Sequence, residues 1–129
     1  MNSYDEFLPR NKHDFDRLYK LKTMDHTELL PLLPGLMEWI QDMNWPIAEE
    51  VAELLLLFPN EIVPLIKNVF ATNDDVWKYW CLVVLIKKMP KESRSLLKSD
   101  LIRLIERPTA GEKVEELDEI AMQLLQTIK

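Results

Sequence analysis

Leu32-Leu33-Pro34-Gly35-Leu36-Met37-Glu38-Trp39-Ile40 is answered thirty residues on by Ile62-Val63-Pro64-Leu65-Ile66-Lys67-Asn68-Val69-Phe70. Apolar residues occupy matching positions at 32 and 62, 33 and 63, 36 and 66, 39 and 69, and 40 and 70, with proline third in each. The apolar spacing is that of a helix face, not of a strand. The segments that follow correspond at a spacing of thirty-one: Val51, Leu54, Leu55 and Pro59 against Leu82, Leu85, Ile86 and Pro90. A third unit, Leu101, Ile102 and Ile105 followed by a last helix, fits less closely. Two or three helix pairs of about 30 to 35 residues each predict a short HEAT-like α-solenoid. The competing description is an irregular bundle in which Leu-rich helices resemble one another by chance. Stripe, proline and stop recur in order, so the fold class expected is all-α, HEAT-like, in a single compact domain.

Local signals place the helices. Asp14 is a plausible N-cap before Phe15, Leu18 and Leu21. Asp25 with Glu28, and Thr109 with Glu112, read as capping boxes. Pro34 argues for a break, or for a helix that starts near Pro31. Pro46 suits a first helical position, with Trp45 outside the helix. Asn60 is expected to cap the Ile62–Phe70 helix, Asn73 or Asp74 the next, and Ser99 the one carrying Leu101. The stripe through Trp77, Trp80, Cys81, Val84 and Leu85 runs to Lys88, and Pro90 stops it. The last helix is expected to run unbroken through Val114, Leu117, Ile120, Ala121, Leu124, Leu125 and Ile128.

The chain has 129 residues, 47% hydrophobic and 29% charged. That is one domain's length and excludes intrinsic disorder as the main state. Residues 1–7 are expected to be a polar tail and residues 8–129 the helical domain. Two glycines are too few for a Gly-rich phosphate loop. One cysteine excludes a disulfide framework and a Cys-based zinc site, and two histidines thirteen residues apart add no metal spacing. No metal and no cofactor is expected. The longest apolar run, Tyr79 to Ile86, is far short of the ~20 residues of a membrane span. No targeting segment is recognisable, and a lone thiol suits a reducing compartment, so a cytoplasmic protein is expected. The net charge of −6 makes nucleic acid and anionic membrane poor partners.

Charge is distributed unevenly. Thr23 to Ile66 holds eight acids, Asp25, Glu28, Glu38, Asp42, Glu49, Glu50, Glu53 and Glu61, and no Lys or Arg. Six bases, Lys87, Lys88, Lys91, Arg94, Lys98 and Arg103, fall between Lys87 and Arg103. Such an acidic stretch is either a solvated face or a surface for a basic partner. Trp45 stands beside it as an apolar anchor, and Trp77 opens the equivalent later helix.

Groups able to do chemistry are sparse. His13 beside Asp14 could form an acid/base pair, or Asp14 could simply cap a helix. Cys81, between Trp80 and Leu82, reads as a buried and inert thiol. The serines lie in no nucleophile-elbow context.

Leu8-Pro9-Arg10-Asn11-Lys12-His13-Asp14, then Glu38-Trp39-Ile40-Gln41-Asp42-Met43-Asn44-Trp45-Pro46-Ile47-Ala48, then Val76-Trp77-Lys78-Tyr79-Trp80 resemble the motifs of a small bacterial domain family of unknown function. The resemblance extends from about Leu8 to Leu125. It implies a cytosolic HEAT-like helical domain. It implies no activity and assigns no role to Lys12-His13-Asp14 or to Asp42–Pro46.

The function expected is that of a non-enzymatic protein-interaction module. It would bind a basic partner through the acidic first repeat, with Glu38, Asp42, Asn44, Trp45, Glu49, Glu50, Glu53 and Trp77 as candidate contacts. One form of it is an immunity-like protein that masks a basic toxin or enzyme. The alternative is a small hydrolase or nucleic-acid-processing enzyme using His13, Asp14 and Asp42, with Lys12, His13 and Asp14 as the polar site. A structural domain with no strong ligand is a third reading.

Overall fold

A computed structural model describes residues 3–128, with side chains from residue 5. Met1 and Asn2, part of the expected tail, lie outside the described residues. The described chain is helical and contains no strand. It forms two compact units that divide between Leu57 and Phe58.

The first unit opens with a 3-10 turn, Ser3–Glu6, inside the expected tail. α1, Phe15–Thr23, begins at Asp14, whose side chain accepts from the Arg17 N–H. α2, His26–Leu29, begins with the Asp25–Glu28 capping box. The prolines then segment the stripe. Pro31 enters a 3-10 turn, Leu30–Leu32, and Pro34 lies in the first turn of α3, Leu33–Met37. Each proline lacks an N–H and tolerates only a first-turn position, so a continuous helix is replaced by short ones. A 3-10 turn, Glu38–Ile40, follows. α4, Ala48–Leu55, starts two residues later than Pro46 suggests, because the Asp42–Ile47 turns come first and the Ala48 N–H bonds to the Trp45 carbonyl. Leu18 and Leu21 of α1, Leu33, Leu36 and Ile40 of the segmented stretch, and Val51 and Leu55 of α4 are buried. They form the apolar face that holds this unit.

The second unit holds the remaining helices. α5, Val63–Phe70, buries Val63, Ile66, Val69 and Phe70 as the stripe predicts. Asn60 does not cap it: the helix begins after Ile62 without a side-chain cap, and the Asn60 Oδ1 accepts instead from the Ser93 hydroxyl at 2.6 Å. α6, Asp75–Trp80, is capped by Asp74. It passes into a π-helical turn, Cys81–Leu85, and a 3-10 turn, Ile86–Lys88. The buried positions are Lys78, Cys81, Leu82, Leu85, Ile86 and Met89, so Trp77, Trp80 and Val84 are half-buried flanks and not the centre of the stripe. α7, Lys91–Ser95, leads to α8, Lys98–Glu106, which begins after Leu97 with no side-chain cap, so Ser99 is inside the helix.

The last expected helix is two. α9, Ala110–Val114, opens with the Thr109–Glu112 capping box. Glu116, at φ 58°, is in the left-handed region, and α10, Leu117–Gln126, begins there. The break turns Val114 away from the stripe and leaves it 79% exposed. α10 packs along α8, with Leu101, Leu104, Leu117 and Ala121 buried.

Candidate functional site

The first unit carries a cleft of about 400 Å³ bordered by two of the sequence motifs. Its lining includes Leu8, Arg10 and Arg17 from the N-terminal segment and α1, and Glu38, Trp39 and Trp45 from the stretch before α4. The Trp39 and Trp45 rings meet edge to face, centroids 5.6 Å apart and planes at 65°. This is the favoured geometry for rings with negative faces and positive edges. Trp45 is presented by a turn in which the Asp42 Oδ1 accepts from the Asn44 N–H at 2.8 Å and the Asp42 carbonyl from the Trp45 N–H at 3.1 Å. The Asp42 carboxylate and Asn44 therefore build the loop that carries the ring. A second cavity, about 550 Å³, is lined by Glu6, Phe7, Arg10, Arg17, Lys20 and Met24. Arg10 and Arg17 border both.

Asp14, which lines neither cavity, holds Arg10 in place and caps the helix that carries Arg17. Its side chain is only 3% exposed. Oδ2 accepts from the Arg10 backbone N–H and Nε, each at 2.9 Å. Oδ1 accepts from Arg10 Nη2 at 3.2 Å and from the Arg17 N–H at 3.3 Å. The Arg10 hydrogen bonds hold the carboxyl well below the usual carboxylate range, outweighing burial. Arg17 Nη1 donates to the Asp5 carbonyl at 3.1 Å and the Leu8 carbonyl at 2.8 Å. Leu8 in turn lies on Gly35: a Cβ there would fall 2.5 Å from Leu8 Cδ1.

The candidate residues are dispersed over several roles. Lys12 and His13 are exposed, and the His13 N–H donates to the Asn11 side chain at 2.9 Å. Asp14 is engaged by the arginines, and Asp42 by its own turn. Glu49 and Glu53 are exposed on α4. Glu50 is half-buried and paired with Lys22, the base immediately before the acidic stretch. That hydrogen bond raises the Lys22 ammonium pKa above its ordinary value, helped by Glu50 and Glu53 charge. Trp77 is half-buried in the second unit, and its indole N–H has no partner among the described residues.

Sequence reasoning missed the strongest charge cluster. Lys78 Nζ lies 2.9 Å from both Asp75 Oδ1 and Glu112 Oε2. Arg103 grips Glu112 bidentately, at 3.0 and 2.7 Å. A capping box made Glu112 legible only as a helix-start residue, and nothing in the chain signals its partner thirty-four residues away. Lys78 and Glu112 are buried, Asp75 and Arg103 reach toward the surface, and the four form an ionic clasp within the second unit. Cys81 is fully buried, and burial pushes its thiol pKa far up, so it is no nucleophile. Among the described residues, no group of three or more His, Cys, Asp or Glu could hold a metal ion, and no helix is long and apolar enough to cross a membrane.

A family model described as a domain of unknown function (DUF5071) matches residues 7–125. No curated protein matches the chain.

Proposed function

We propose that this chain, which belongs to the DUF5071 family of unknown function, is a non-enzymatic module that binds a basic protein partner through its first unit. The observation that carries the reading is on α4. Glu49 and Glu53, one helical turn apart, are exposed and make no ion pair among the described residues. Like charges at that spacing cost a few tenths of a kcal/mol. A basic partner surface would relieve that repulsion. Trp45 and Glu38, in the cleft of the same unit, supply an aromatic anchor and a further carboxylate. Of the candidate contacts, Glu50 is the least available, because Lys22 already neutralises it.

The helix-pair repeat belongs to the same proposal. Pro34 and Pro64 occupy the same first-turn position of α3 and α5, which supports reading each helix pair as HEAT-like. A cytoplasmic location fits a chain with one buried thiol. An immunity-like role, masking a basic toxin or enzyme, is the form of the proposal with the most definite partner.

Surface-plasmon kinetics against a captured partner test it. Glu49→Lys with Glu53→Lys is expected to slow association and to reduce its salt dependence, because charge acts mainly on encounter. Trp45→Ala is expected to speed dissociation. An unchanged association rate in the folded double variant would reduce the α4 face to a solvated surface.

A further inference from the structure

We infer that residues 5–10 are the internal occupant of a peptide-binding groove in the first unit. A partner segment of the same chemistry, an apolar side chain followed two residues later by arginine, binds there by displacing them.

The segment lies between the two cavities. Asp5 and Leu8 border the smaller, Glu6 and Phe7 the larger, and Arg10 both. Its hydrogen bonds to the rest of the described unit go to two residues only. Arg17 Nη1 takes the Asp5 and Leu8 carbonyls, and Asp14 takes the Arg10 N–H and guanidinium. Apolar contact comes from Leu8 on the bare backbone of Gly35 and from Pro9, which is buried. Arg17 thus reads main chain, Gly35 admits an apolar side chain, and Asp14 reads a guanidinium. Those are the three elements by which a groove recognises a short peptide: backbone, pocket and charge. Phe7, in the middle of the segment, remains 42% exposed.

Displacement leaves a demand that defines the ligand. Asp14 is buried, and without Arg10 its nearest cationic atom is Arg17 Nε at 3.9 Å. A buried carboxylate that loses its partner is costly. An incoming arginine restores the fork; a lysine or a neutral residue does not. The segment, tethered in the same chain, competes at the millimolar effective concentration typical of short linkers. The apparent affinity for an outside peptide is reduced by the fraction of time the groove is open. This site uses neither Glu49 nor Glu53, so it can fail while the α4 surface stands, and the reverse.

The test uses the full chain and a fluorescein-labelled peptide, Asp-Glu-Phe-Leu-Pro-Arg-Asn, the sequence of residues 5–11, followed by fluorescence anisotropy. The double variant Leu8→Ala with Arg10→Ala weakens the internal competitor. It is expected to bind the peptide at least about tenfold more tightly than the unaltered chain. A peptide with Leu and Arg replaced by Ala is expected to bind that variant at least about tenfold more weakly, and adding Arg17→Ala to abolish binding. The proposal is overturned if the double variant keeps its circular-dichroism spectrum and binds no more tightly, or binds the substituted peptide equally. Should the double variant not fold, hydrogen exchange on the unaltered chain decides. Excess peptide must speed exchange at residues 5–10; no change at a peptide concentration that saturates Leu8→Ala, or at the highest soluble concentration, overturns the displacement.

Discussion

The Lys78 ammonium and the Glu112 carboxylate meet at 2.9 Å with both side chains no more than 3% exposed. Each is over-determined: Lys78 also holds Asp75, and Glu112 also holds Arg103 and the Thr109 N–H. Burying two charges is tolerable only when every remaining donor and acceptor is satisfied. Here the second partners supply most of that: two of the three Lys78 N–H groups meet carboxylates, and both Glu112 oxygens accept from Arg103.

Removal of one member is therefore expected to be costly. Lys78→Met should destabilise the chain by about 3 kcal/mol, the low end for a broken buried pair, because Arg103 remains on Glu112. Lys78→Met combined with Glu112→Gln should cost less than the sum of the single changes by at least about 1 kcal/mol. Urea unfolding of the four proteins gives the cycle; strict additivity would mean that the two groups are energetically independent.

Acid should weaken the fold through the same carboxylate. Arg103's hydrogen bonds, with smaller help from the Thr109 N–H and Lys78, hold the Glu112 carboxyl down at about 2 from an ordinary 4.5. A folded-state value below the unfolded one means that the group stabilises the fold above about pH 4.5 and that this contribution disappears as the pH falls toward 2. Asp14 acts in the same direction. Thermal melts between pH 7 and 2.5 should show the decline, and Glu112→Gln should flatten part of it. A variant with the same pH dependence as the parent would disprove the assignment.

The two glycines should respond differently to alanine. A Cβ at Gly111 would sit 2.2 Å from Asp75 Oδ2 and force that carboxylate to move, straining its bond to Lys78. A cost of about 1–3 kcal/mol is expected. At Gly35 the obstacle is the end of the Leu8 side chain, which can swing aside. The gain in helix propensity, about 1 kcal/mol, should leave Gly35→Ala near neutral. Equal losses in paired melts would contradict this distinction.

Leu85 and Val84 are neighbours with different surroundings. Leu85 is fully buried, so Leu85→Ala should cost about 2–5 kcal/mol. Val84 is half-buried, and Val84→Ala should cost about 1 kcal/mol. Denaturant midpoints order the two; the reverse order would mean that the helix is rotated from the face described.

Apolar spacing and proline position made most of the helices legible. Asp14, Asp74 and both capping boxes act over three residues, so their role could be read without tertiary structure. Asn60 and Ser99 failed as caps for the opposite reason. The Asn60 side chain is drawn to Ser93, thirty-three residues away, and the helix begins at Lys98, directly after the buried Leu97, which places Ser99 inside it. Trp77 and Trp80 drew attention by size, yet the buried face runs one residue over, through Lys78, because two carboxylate partners, Asp75 and Glu112, make a lysine acceptable inside. At the cleft, Trp45 and Glu38 were legible as candidates. Arg10 and Arg17 were not, since their roles depend on where a distant backbone carbonyl and a buried carboxylate come to rest.

The left-handed backbone at Glu116 inverts the usual ranking of residues in a helical protein. An L side chain there carries a steric cost of about 1 kcal/mol that glycine does not, and asparagine carries less of it. In a saturation library of this chain, selected for folded protein, glycine and asparagine should be enriched at 116 and depleted at 114 and 118, which are helical. The joint between α9 and α10 is thus a place where sequences can diverge toward flexibility and gain stability in doing so.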